Sequence, residues 1–325
     1  MAGVAAESFA YIVEGGHARS VDPDEAGNAP RGRGSLLWLH LHGPDEEARA
    51  WTALKDDVPE PALNALVAAE TRPRCEALGD GALINLRGIG DASIESADPL
   101  NSIRLWLAQG RVISATRARV DALGALCDAI KAGRVTDPGE LVAVLADAIS
   151  RQLDAVISDV GDRLDDIEEA LAGNEGADLR RDTNAIRAQA ISFRRFVAPE
   201  NVALSTAADL PCGWLDDQDR SAIREAANRF ARMTEELDAI RERAALVSEQ
   251  FAEARAEVLE RRSFILSVVA LIFLPLTFFT GLLGINVRGI WYADHPQAFN
   301  GVLLICAATA AALSAFFFVR RWIGK

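Results

Sequence analysis

Residues 263–287 read SFILSVVALIFLPLTFFTGLLGINV, a stretch without a single charge. The hydrocarbon core of a bilayer takes about 20 apolar residues of helix, so this run is long enough to cross it. Pro275 inside the run is tolerable, because neighbouring helices or water can satisfy the carbonyl that it frees. A second uncharged run, Ala298 to Val319, is equally suited and ends in Phe316-Phe317-Phe318. A helix apolar on every face belongs in lipid rather than at a soluble surface. The two runs, joined by the loop Gly284 to Gln297, predict a transmembrane hairpin over 263–325.

Orientation follows from the basic flanks. Arg261 and Arg262 precede the first run, and Arg320, Arg321 and Lys325 follow the second. Basic residues stay on the cytoplasmic side, so both outer ends are expected there, in a multi-pass protein of the plasma membrane. The loop then lies on the far side, with Arg288, Asp294 and His295 as its ionisable groups. The chain carries net charge −13, yet residues 261–325 hold six Lys/Arg and one acid, which leaves −18 for residues 1–260. A body this acidic repels nucleic acid and anionic lipid and concentrates cations. Met1 to Val13 has no basic residue before its apolar stretch, so no secretory signal is expected. Cys75, Cys127, Cys212 and Cys306 are widely spaced, with no zinc-type spacing, and are expected to be reduced packing residues.

Residues 1–135 predict an α+β cytoplasmic domain. Phe9 to Val13, Ser35 to Leu41, Ala82 to Ile89, Ile103 to Leu107 and Val112 to Ala115 read as strands bounded by turn signals, the last two as a hairpin around Gln109-Gly110. Asp45 to Leu54 and Pro61 to Ala69 read as helices. An antiparallel helix pair is expected over 136–198. It starts at Asp137-Pro138-Gly139-Glu140, with an N-cap carboxylate, proline at N1 and an acid at N3, and turns back after Gly173 into a helix from about Ala177 to Val197. A stalk over 199–262 follows. From Asp216, a good N-cap, to Gly284 the chain has no proline but Pro275, so one helix of roughly 100 Å can run from the cytoplasm into the bilayer.

Alternating steps of three and four residues back from Gly284 meet Gly281, Thr277, Leu274, Ala270, Ser267 and Ser263, nearly all small or hydroxyl-bearing. Small stripes commonly serve close helix contact. The same steps continue through Glu260, Ala256, Glu253, Glu249, Leu246, Glu242, Ala239 and Glu235. A dry coiled-coil seam would place leucine or isoleucine there, so acids in phase with a small polar row argue for a wet axis. A solvated face whose phase matches by drift is the plain alternative. One hairpin cannot enclose a pore, so a channel reading requires symmetric oligomerisation.

The run Phe273-Leu274-Pro275-Leu276-Thr277-Phe278-Phe279-Thr280-Gly281-Leu282-Leu283-Gly284-Ile285-Asn286 resembles the first transmembrane segment of the CorA superfamily of divalent-cation transporters. That family ends the segment in Gly-Met-Asn; Gly284-Ile285-Asn286 is the variant similar to its zinc-transporting ZntB branch. The order of elements along the chain fits as well. The resemblance implies a CorA-like homopentameric funnel in which the first span of each copy lines the pore and Gly284, Ile285 and Asn286 form the outer mouth. A ring of neutral amide oxygens from Asn286 suits a hydrated cation, and Gly284 lets the backbones converge. It further implies Zn²⁺ as the transported ion, with uptake coupled to H⁺.

The residues themselves leave several readings open. Asp294 and His295 offer an oxygen and a nitrogen, a pairing that favours Zn²⁺ over Mg²⁺, although a loop histidine is commonly just solvated. His40 and His42 share a strand face with Trp38; lacking a third ligand, they read as ordinary strand surface. Cd²⁺, Ni²⁺ or Co²⁺ as cargo, efflux instead of uptake, and a broad magnesium-type channel carry the same signature. A membrane-anchored coiled-coil scaffold or sensor is the reading from another class. No nucleotide loop or nucleophile motif is present, so no enzyme is expected and no bound cofactor. Neither span holds an ionisable residue, so any proton coupling must use groups outside the hydrocarbon.

Overall fold

The computed structural model describes residues 7–23, 26, 35–43, 58–68, 72–91, 98–172, 178–285, 289 and 295–323. The chain divides into two compact units, Met1–Ser248 and Glu249–Lys325. The first holds a seven-stranded sheet of order β2-β1-β3-β7-β6-β5-β4. Its strands are β1 (Phe9–Glu14), β2 (His17–Val21), β3 (Ser35–His42), β4 (Arg74–Leu78), β5 (Gly81–Gly88), β6 (Asn101–Ala108) and β7 (Arg111–Thr116). Neighbours run antiparallel except β3 and β7, which pair in parallel at the centre. The five expected strands are all present. β2 and β4 are additions: both lie at sheet edges, and HARSV and RCEAL lack the apolar alternation that marks a half-buried strand. The helix α1 (Glu60–Leu66) matches the second expected helix and buries Ala62, Leu63 and Leu66 in a core with Leu37, Leu39, Leu41 and Ile113. The expected helix Asp45 to Leu54 lies outside the described residues.

The expectation of an ordinary strand surface at His40 is corrected. β3 sits between β1 and β7, and Trp38 and His40 are fully buried. The Trp38 indole N–H donates to Ser114 Oγ at 2.8 Å, and Ser114 Oγ lies 2.8 Å from His40 Nδ1. Thr116 Oγ1 lies 3.3 Å from His40 Nε2 and 3.1 Å from His42 Nδ1. A hydroxyl can donate or accept, so either tautomer of His40 finds a partner at both ring nitrogens, Ser114 at Nδ1 and Thr116 at Nε2. Burial, then the nearby His42, lowers the His40 pKa to about 3. Both nitrogens of a neutral His40 are thus committed, which removes it as a metal ligand. All four cysteines are free thiols, and Cys127 is fully inside.

Helices α2 (Ala122–Lys131), α3 (Pro138–Ala172) and α4 (Asp178–Ala208) follow the sheet. The start of α3 is as expected: Asp137 Oδ1 accepts the Glu140 N–H at 2.9 Å, and Glu140 Oε2 accepts the Thr136 N–H at 2.6 Å. The expected end of α4 before Pro199 is corrected, because the helix runs through Pro199 to Ala208. An interior proline costs about 3 kcal/mol. Beyond it, Ala203, Leu204, Ala207 and Ala208 are all buried, and α4 packs on β4 and β5. Burial of that face outweighs the proline. Glu200, fully buried, accepts the Arg87 N–H where β4 has ended, and desolvation holds its carboxyl well above the usual range.

Helix α5 (Asp217–Leu283) opens on Asp216, as expected. Asp219 N–H donates to Asp216 Oδ1 at 2.8 Å, and Asp216 N–H donates back to Asp219 Oδ2 at 3.1 Å, a reciprocal cap built from two aspartates. A Cβ on Gly139 would collide with the Asp219 carboxylate, so the glycine lets the starts of α3 and α5 approach this closely. Burial, then Asp137, Asp216 and Glu140, push the Asp219 carboxyl from 3.8 to about 7, against the Asp216 amide that lowers it. Its folded pKa is raised, so the folded state holds the proton longer and stability falls as pH rises from about 4 through about 7. Asp219→Asn is expected to keep the acceptor and remove the loss, raising stability above pH 7 by about 1–3 kcal/mol and flattening the curve. Thermal denaturation of the purified chain at pH 5 and pH 8 checks this; an unchanged difference between the two pH values counts against it.

Along the first unit, α5 is tied to α3 by Arg229, bonded to Asp147 and to Ser150 Oγ (3.0 Å), and by Arg243, bonded to Asp165 and to Glu168 (2.6 Å). It is tied to α4 by Arg194 and Asp238 at 2.7 Å and by Asn201, whose amide donates to Ala227 O at 2.7 Å. Met233, Leu237, Ile240, Ala244 and Val247 form its buried face. In the second unit, the apolar end of α5 and α6 (Ala298–Ile323) are two helices long and apolar enough to cross a membrane, and Phe264 meets Phe317 edge-on at 6.4 Å.

Candidate cation pathway

The membrane part of α5 has two unlike faces. Val268, Ile272, Pro275 and Leu276 are half-buried, at one turn's spacing, and α6 has a matching half-buried row in Val302, Cys306, Thr309, Leu313 and Phe317. The stripe Ser263, Ser267, Ala270, Leu274, Thr277 and Gly281 is exposed throughout, on the opposite side of the helix, with Leu274 at 72%. At 100° per residue the two rows are about 180° apart. The hairpin partner thus covers one face and leaves the small, hydroxyl-bearing face open.

The hydroxyls on that face are oriented by the helix itself. Ser267 Oγ donates to Ser263 O at 2.9 Å and Thr277 Oγ1 to Phe273 O at 2.8 Å. Thr280, which the stripe did not include, donates to Leu276 O at 2.9 Å. Each hydroxyl spends its only proton on its own backbone, which leaves its lone pairs as acceptors. An oxygen that can only accept presents negative partial charge, the sign a cation requires.

In the cytoplasmic part of α5, Glu235, Glu242, Glu249, Glu253 and Glu260 are all exposed. Glu235 and Glu242 lie away from the buried Leu237 and Ile240. Gly284 and Ile285 follow the helix, with the Gly284 N–H donating to Thr280 O at 3.0 Å. Asn286 and Asp294 lie outside the described residues. His295 precedes α6, where its Nδ1 accepts the Gln297 N–H at 3.3 Å and its carbonyl accepts the Ala298 N–H at 3.0 Å. A helix-start role thus occupies one of its ring nitrogens. Among the described residues no group of three or more His, Cys, Asp or Glu side chains is placed to hold a metal ion.

A family model described as "CorA-like Mg2+ transporter protein" matches residues 33–321. The chain belongs to the CorA family. Membership makes it a transport protein of the divalent-cation class, not an enzyme, and a multi-pass inner-membrane protein with a cytoplasmic domain. It is 30% identical, over 88% of either chain, to the "Zinc transport protein ZntB" of Pectobacterium carotovorum. Among solved structures, the full-length CmaX protein is 30% identical and superposes with a TM-score of 0.82 over 99% of this chain and 100% of that one. The complete CorA magnesium transporter of Methanocaldococcus jannaschii superposes at 0.80 over 97% and 98%, at 15% identity, a likeness of fold alone. The CorA fold thus covers the sheet domain, the long helices and both spans.

Proposed function

We propose that the chain is a zinc transporter that works as a homopentamer, with the stripe Ser263, Ser267, Ala270, Leu274, Thr277 and Gly281 lining the pore and Gly284, Ile285 and Asn286 at its outer mouth. The observation that carries this reading is the open face of the first span, whose donors are turned inward to the backbone while its far side packs the second helix. Copies arranged about an axis with that face inward build an acceptor-lined pore, and the exposed Glu235, Glu242, Glu249, Glu253 and Glu260 become rings that draw cations toward it. Residues 1–135 form the wall of the funnel, α3 and α4 the helix pair that braces it, α5 up to residue 262 the stalk and 263–325 the hairpin.

Zinc is favoured over magnesium by the Ile285 variant of the mouth and by the relative named for zinc transport. Uptake is driven by H⁺ on this reading. With no Asp, Glu, His, Lys or Arg in either span, the coupling proton binds outside the hydrocarbon, at Asp294, His295 or the stalk glutamates. One reconstituted preparation tests all of it: zinc and magnesium flux into vesicles, with and without an imposed proton gradient. Zinc entry accelerated by an inward proton gradient is expected. Zinc entry indifferent to the gradient would remove the coupling, and magnesium entry outpacing zinc would turn the reading to the magnesium-type channel.

A further inference from the structure

The helices of the first unit carry opposite charge on their two flanks. α3 and α4 are bonded to opposite sides of α5, through Arg229 and Arg243 on one and Arg194 and Asp238 on the other. On the α3 flank, exposed Asp154 and Asp162 stand near Glu236 of α5, and these three carboxylates have no ion-pair partner among the described residues. Partial burial, then Asp154 and Asp162, push the Glu236 carboxyl upward. On the α4 flank the imbalance has the other sign. Asp238 is shared by two guanidiniums, Arg194 at 2.7 Å and Arg241 at 3.2 Å, and exposed Arg187 has no ion pair among the described residues.

The two flanks lie at one height. Glu236 and Asp238 are two residues apart on α5, about 3 Å along its axis. A rotation that closes a ring leaves heights unchanged, so the left edge of each copy meets the right edge of the next at the same level. We propose that the Asp154–Asp162–Glu236 edge of one copy docks on the Arg187–Arg194–Arg241 edge of its neighbour. The inference rests on the ring reading above and adds to it the surface by which copies recognise one another. The acids uncompensated within one chain then face Arg187 and the two guanidiniums that share Asp238 in the next, and a second copy turned the wrong way meets like charge. Being partly exposed, the seam weakens with salt.

Two experiments on the full-length chain test this. The Asp162→Cys, Arg187→Cys double variant, treated in native membranes with a short bismaleimide, is expected to give a ladder of linked subunits, and either single variant and the parent chain none. Reversing one edge (Asp162→Arg with Glu236→Arg) or the other (Arg187→Glu with Arg241→Glu) should raise the dissociated fraction of detergent-extracted particles at least about tenfold. Carrying both reversals in one chain should bring it back. A pentameric parent particle with no ladder, and reversals without effect on dissociation, overturns the seam and leaves the pentamer standing. A monomeric parent particle overturns the ring reading and the seam together.

Discussion

Asn286→Ala is expected to lower zinc flux into reconstituted vesicles by about 10- to 100-fold while the particle keeps its mass. In the proposed pentamer the substitution removes five amide oxygens at once from the outer mouth. A hydrogen-bond-like contact to a charged group is worth about 1.5–3 kcal/mol. Losing part of that at the step where the cation sheds outer water raises the entry barrier by a comparable amount. Asn286→Asp should also slow flux, for the opposite reason, because five carboxylates hold a divalent cation too tightly to release it. Stopped-flow entry of zinc into dye-loaded vesicles, with particle mass measured on the same preparation, reads both variants. Unchanged flux through an intact Asn286→Ala oligomer would move the reading towards the membrane-anchored scaffold or sensor.

Leu274→Lys is expected to abolish flux. Leu274 is 72% exposed on the open face, midway along the span. In a closed ring, five ammonium groups would meet within the hydrocarbon depth, where poor screening makes like charge strongly repulsive to a divalent cation. Leu274→Thr at the same site should leave flux within about threefold of the parent, since it adds another acceptor. Leu304→Thr, on an exposed position of α6 that the pore reading leaves outside, should change little. A lysine at 274 that transports like the parent, in correctly assembled particles, would take the stripe out of the pore.

The fold and the candidate pathway were unequally legible. The span, its stripe and the two helix starts at Asp137 and Asp216 are local: each depends on residues within one or two turns, and a side chain that caps its own helix is visible in the spacing alone. The edge strands β2 and β4 were not, because a polar strand is held by its neighbour's backbone and not by an apolar face of its own. His40 read as surface because periodicity cannot tell a strand covered on one face from one covered on both. Asp219 carried no signal beyond its place at N3. Its burial against Gly139 joins two helix starts about eighty residues apart in sequence.

By itself the sequence determined the hairpin, its orientation, the long helix and the family resemblance. These follow from free energies that accumulate residue by residue along one segment, above all transfer of apolar side chains into lipid. Tertiary structure decided what depends on remote partners. The sheet face under α4 carries the helix through Pro199, since burial of Ala203, Leu204 and Ala207 outweighs a local cost that the sequence displays plainly. The half-buried row of Val268, Ile272 and Leu276, matched by one on α6, marks which face of the first span stays open. The bonding of α3 and α4 to opposite flanks of α5 gathers acids and arginines, scattered in the sequence, onto two separate edges, an arrangement that exists only once the helices stand side by side.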